Sequence, residues 1–92
     1  MANVAVTHTV LHTAAANYAA PNQTPQLIKC KNLDNAHNIW VALYDGTTAA
    51  IYGDECEAVG PGEAVVLPWR TQYSMISETG SVKVNLAAQQ GR

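Results

Sequence analysis

Charge is the scarcest property of this sequence. Asp, Glu, Lys and Arg together make up 13% of it, against roughly 25% in an average globular domain. The surface must draw its polarity from Thr, Asn, Gln and Ser instead, groups that cost less than ions to desolvate when another protein covers them. Nor does one sign of charge gather anywhere along the chain. The five basic residues, Lys29, Lys31, Arg70, Lys83 and Arg92, are scattered and the formal net charge is −2, so the sequence shows no electrostatic footprint for a phosphate backbone. No nucleic-acid partner is expected. Long apolar runs are missing too: no window reaches the length of a bilayer span, and the first twenty residues lack the basic start and apolar stretch of a signal peptide. The expectation is a soluble chain with no membrane partner and no signal-directed export.

Cysteine is nearly absent. Cys30 and Cys56 are the only two, without CxxC spacing, and two reduced thiols are the default in a chain with no export signal. Cys30 lies in the apolar run Leu27 to Leu33, where a small buried side chain is the ordinary role. Cys56 sits among Asp54, Glu55 and Glu57, whose negative charge opposes formation of a thiolate. Neither reads as a nucleophile.

What is present is apolar and β-forming. Apolar residues are 48% of a 92-residue chain, enough for one domain, although a domain of this size buries only about 60 to 65% of its unfolded surface. Self-association is a common remedy for so thin a margin. Val4 to Thr13 is dense in β-branched residues and reads as a strand. Residues 14 to 25, with an Ala-rich stretch that could form one helical turn before Pro21 and Pro25, read as a connector. Residues 1–25 are therefore expected as an N-terminal strand or arm, and 26–92 as the main domain.

From Gln26 onward, short apolar runs alternate with turn signals, the spacing of a sandwich or small barrel. Leu27 to Leu33 reads as a strand and Asp34 to Asn38 as a turn. Ile39 to Tyr44 is apolar on both faces, which suits a strand covered on both sides or one facing a subunit interface. Asp45-Gly46 is the strongest hairpin signal and predicts a returning strand over Thr47 to Tyr52. An acidic loop, the turn Gly60-Pro61-Gly62-Glu63 and the run Ala64 to Leu67, limited by Pro68, follow. Thr71 to Ser77 and Ser81 to Ala87 predict a final pair around Glu78-Thr79-Gly80, ahead of a frayed tail. The fold class expected is all-β: a small antiparallel β-sandwich or barrel of about seven strands with an N-terminal arm.

Candidate sites divide between chemistry and packing. His8 and His12 have the spacing of a helical zinc pair, but on a strand four residues span about 13 Å, too far for one ion. His37 sits in a turn with no carboxylate read near it in sequence, which leaves a triad only a weak case. Asp54, Glu55 and Glu57 lack the alternating acids and central Gly of a calcium loop. Gly60-Pro61-Gly62 lacks the Lys-Ser/Thr ending of a phosphate loop, and Asn22-Gln23-Thr24 is a formal glycosylation sequon of no consequence without export. Trp40, Trp69, Tyr44, Tyr52 and Tyr73 are core or interface anchors first and a sugar-stacking platform second. The expected interface set is Val4, Val6, Val10, Trp40, Tyr44 and Trp69, with no catalytic residue, no metal and no cofactor.

The segments LIKCKNLDNAHNIWVALYDG, VGPGEAVVL and YSMISETGSVKVNL, spanning Leu27 to Arg92, resemble the small β-sandwich proteins of tailed bacteriophages that decorate or cement the capsid or form head fibres. The resemblance implies a non-enzymatic virion protein that binds the outside of the capsid. It also implies the major capsid protein as partner, self-association as a homotrimer, and a place on the capsid surface after assembly in the bacterial cytoplasm. The alternative is a carbohydrate- or receptor-binding module of a phage fibre or tail. Residues Gly60 to Met75 also look like half of a cupin motif, which would imply a small metal enzyme using His8, His12, His37 and the acidic loop; Tyr73 stands where that motif would place a metal-binding His.

Overall fold

The structure is a computed structural model that describes residues 5–21, 27–44 and 46–89; Val4, the sequon at 22–24, Asp45 and the tail from 90 onward lie outside the described residues, as does the side chain of Gln89. The described residues form eight strands: β1 (Ala5–Val10), β2 (Ala16–Ala19), β3 (Leu27–Asn32), β4 (Ile39–Ala42), β5 (Cys56–Val59), β6 (Ala64–Pro68), β7 (Gln72–Ser77) and β8 (Val82–Gln89). They make two four-stranded antiparallel sheets in the orders β1-β8-β3-β6 and β2-β7-β4-β5. The expected small antiparallel sandwich is what is observed, with one strand more than anticipated. This pair of orders is that of a jelly roll, in which the chain winds back and forth between two facing sheets.

Alternation decides which side chains meet between the sheets. Ile28 and Cys30 of β3, Leu67 of β6, and Val82, Val84, Leu86 and Ala88 of β8 face Ile39 and Val41 of β4, Val59 of β5, and Tyr73 and Met75 of β7. Fully burying one such side chain contributes about 1.5 to 3 kcal/mol. Tyr73 brings a polar atom into this layer. Its hydroxyl donates to the Pro68 carbonyl at 2.6 Å and accepts the Arg70 N–H at 3.0 Å, so the ring is buried with its oxygen satisfied.

Three expectations about connectivity give way. Residues 14 to 25 hold no helical turn among those described: Ala16–Ala19 is β2, paired with β7, while β1 pairs with β8 and buries Val10. The stretch that reads as an arm thus supplies an edge strand to each sheet. No strand forms over Thr47 to Tyr52, because β4 takes Cys56–Val59, part of the supposed acidic loop, as its neighbour. The two last strands are not a hairpin either. β7 and β8 belong to different sheets, and the turn between them, with Gly80 at φ 63°, carries the chain from one sheet to the other. Only β4 and β5 are neighbours in both sequence and sheet.

The excursion at residues 43–55 has a packing reason. Trp40 and Ala42 point away from the core side of β4, and a sheet face carrying them needs cover. Tyr52 lays its ring against Trp40 with centroids 4.9 Å apart, Ala49 is buried, and the Ala49 N–H donates to Ser74 Oγ at 2.9 Å. Trp40 is left 4% exposed while Tyr52, which reaches the surface at φ 58°, is 79% exposed. The chain therefore roofs the outer side of β4 with its own loop. This accounts for the apolar run Ile39 to Ala42 without a subunit interface.

Candidate functional site

Several residues with catalytic character are committed to holding turns. At one end of the sandwich the turns β3–β4, β5–β6 and β7–β8 meet; buried Asn32 ties the first two together, and Glu78 joins the third through Asn38. Its amide nitrogen donates to the carbonyls of His37 at 2.7 Å and Val59 at 2.9 Å, and its amide oxygen accepts from the Asp34 N–H at 2.8 Å. Asp34 accepts from the N–H groups of Ala36 and His37 and lies 3.1 Å from His37 Nδ1. The Ala36 N–H is the largest influence and lowers this carboxyl; desolvation opposes it, and the backbone N–H and ring of His37 add smaller lowering effects that leave it below its ordinary range. Glu78 accepts from Asn38 N and Glu63 from Gly60 N, each at 2.9 Å. The last bond explains the Gly-Pro-Gly-Glu turn: a Cβ on Gly60 would stand 2.7 Å from Glu63 Oε1, and Gly62 sits at φ 74°.

The histidines and cysteines do not converge. His8 Nε2 donates to the Ala19 carbonyl at 2.7 Å and its ring packs on Tyr18, stitching β1 to β2 across the open side of the sandwich. His12 Nδ1 donates to the Ser77 carbonyl at 3.3 Å. Burial pushes the Cys30 thiol up to about 12, so it stays protonated as a core side chain near Met75 Sδ. Among the described residues no three His, Cys, Asp or Glu side chains gather in a way that could hold a metal ion.

The expected interface residues are dispersed. Val10 is in the core, Val6 packs at its margin, Trp40 lies under the roof, and Trp69 is half-buried with an indole N–H that has no acceptor among the described residues. Tyr44 alone of that set is an exposed aromatic, at 59%.

Sequence reasoning missed two surfaces. The first is the outer face of the first sheet. Because Ile28, Cys30, Val82 and Val84 point inward, Lys29, Lys31 and Lys83 point outward, which puts every lysine of the chain on one face. Lys31 stands opposite Asn85, and Lys83 is two residues from Asn85 on the same strand, a diagonal separation of about 7 to 8 Å. Around them lie Thr7, Thr9, Ala64, Ala87, Val66 and Leu27, and no outward strand position described on this face is acidic. Among the described residues no carboxylate pairs with these lysines. The signal was present in sequence as the i, i+2 spacing of Lys29 and Lys31, but Lys83 joins them only through the β3–β8 register.

The second surface lies on the other sheet. Asn17 of β2 and Ser74 of β7 face each other on its outer side, with Gln72 beside them. Tyr44 and Thr48 from the excursion and Arg70 from the β6–β7 link complete a pocket of about 170 Å³ whose lining is mainly polar. Arg70 is fixed: one terminal nitrogen donates to the Ala42 carbonyl at 2.8 Å and the guanidinium lies 4.4 Å from the centre of the Tyr73 ring, a cation–π contact. Compared with family models, with curated proteins and with solved structures, the chain matches none.

Proposed function

We propose that this chain is a non-enzymatic structural protein of a bacteriophage virion, which binds the outside of the capsid as a homotrimer and stabilises it. The observation that carries this reading is the outer face of the first sheet, which no described segment covers. Three ammonium groups at strand spacing with no carboxylate between them repel one another, so this arrangement brings the folded monomer no benefit. A complementary acidic surface on the major capsid protein would remove that repulsion on binding. The small side chains around the lysines let such a surface approach closely, and exposed Val66 and Leu27 add apolar area at its margin. The jelly-roll order is compatible with virion proteins, and it also serves lectins and cupins, so it supports the reading only through the surface it displays.

The mechanism is linkage. A protein that binds the closed shell and not its separated subunits stabilises the shell by about 2.7 kcal/mol per site at a hundred times Kd. Purified protein mixed with capsids of its own phage should co-sediment with them at low salt and progressively less as salt is raised, because the Debye length falls from about 10 Å at 0.1 M to about 3 Å at 1 M. Absence of co-sedimentation at low salt would sink the proposal.

A further inference from the structure

We propose that the pocket lined by Asn17, Tyr44, Thr48, Arg70, Gln72 and Ser74 binds a single pyranose sugar residue. Its chemistry supplies the argument. The two amides each offer donors and acceptors, the hydroxyls of Thr48 and Ser74 offer both, and a guanidinium offers donors alone. Ser74 Oγ accepts from the Ala49 N–H, which leaves its own proton for another acceptor. Arg70 is held by the Ala42 carbonyl and by Tyr73, so its remaining donors are oriented before any ligand arrives and less freedom is lost on binding. A ligand dense in hydroxyls, each both donor and acceptor, is the chemical complement of this set.

Size and shape narrow the class. The cavity, about 170 Å³ and open to solvent on one side, is smaller than the pockets of about 300 to 1,000 Å³ that take drug-sized ligands, a size that suits one six-membered sugar ring. Tyr44, 59% exposed and part of the lining, supplies an aromatic ring of the kind that packs against the C–H face of a pyranose. The aromatic platform anticipated from Trp40, Trp69, Tyr44, Tyr52 and Tyr73 thus reduces to one ring beside polar groups that sequence spacing did not associate with it. The site lies on the sheet opposite the lysines and does not rest on capsid binding; one chain could carry both.

Amide NMR spectra of the full chain titrated with glucose, galactose, N-acetylglucosamine and glucuronic acid, each separately, provide the test. At least one sugar should shift the resonances of Tyr44, Thr48 and Gln72 with a Kd on the order of 1 mM, and Tyr44→Ala and Gln72→Ala should each weaken that binding about tenfold. Both side chains are exposed, and unchanged resonances from the core would show that each variant is folded. Silence with all four sugars, or binding that neither substitution weakens, overturns the proposal.

Discussion

The two sheets of this sandwich share a core and differ in what lies outside them. The second sheet points Trp40 and Ala42 outward, and the excursion at residues 43–55 folds over them. The first sheet points lysines, threonines and small apolar side chains outward, and no described segment covers it. A face that is costly to expose is closed by the chain itself, whereas a face that water tolerates stays open to a partner. Each outer surface should therefore respond differently to substitution.

The largest contrast is between Trp40 and the lysines. Trp40→Ala should cost about 3 to 5 kcal/mol of unfolding free energy, read as a lower urea midpoint, while Lys29→Ala should stay within about 0.5 kcal/mol of the parent. Equal effects would remove the distinction between a roofed and an open face. Asn32→Leu comes next. It leaves the carbonyls of His37 and Val59 without their shared donor inside the protein, at about 1 to 3 kcal/mol for each unsatisfied group. Its urea midpoint should fall clearly, and a midpoint within error of the parent would show that the turns are held by other means.

The response to pH is smaller and has a definite sign. Desolvation raises the Cys30 pKa from an ordinary 9.0 to about 12, and also raises that of Tyr73 above 10.0 despite the opposing Arg70. Both groups are acids whose neutral form the fold prefers. Their stabilisation is complete below the unfolded values and is lost as pH rises through 9 to 10 toward the folded values. Asp34 runs the other way: its lowered pKa stabilises above 3.8 and that contribution is lost as pH falls through the lower folded value. Melting temperature should therefore fall beyond about pH 9, and Cys30→Ala should blunt that fall. In the native protein near neutral pH, a disulfide-exchange reagent should titrate Cys56 and leave Cys30 unreacted. The smallest effect is expected for Lys29, Lys31 and Lys83 changed together to Gln: a slight gain in stability at low salt that vanishes at high salt.

How much of this was legible in the sequence follows from what each signal encodes. Apolar runs bounded by Gly, Pro and Asn marked β3, β4, β6, β7 and β8, because alternation and turn chemistry are local, whereas β5 read as an acidic loop. Partners were not legible. A glycine at positive φ serves a hairpin and a crossing between sheets alike, so Glu78-Thr79-Gly80 read as a hairpin when it is a crossing. Asp45-Gly46 outscored every other hairpin signal, yet burial of Trp40 decided that the chain should cover β4 before pairing with it. At the sites, the turn roles of Asp34 and Glu63 could be anticipated from spacing. The lysine face and the Arg70 pocket could not, since each joins strands that only the sheet order brings together.

The most direct measurement on the central claim pairs two readouts on Lys29→Glu, Lys31→Glu and Lys83→Glu combined: co-sedimentation with capsids and the urea midpoint. The account predicts loss of capsid binding with a midpoint close to the parent's. Retained binding by the folded variant would contradict it and move the partner to another surface.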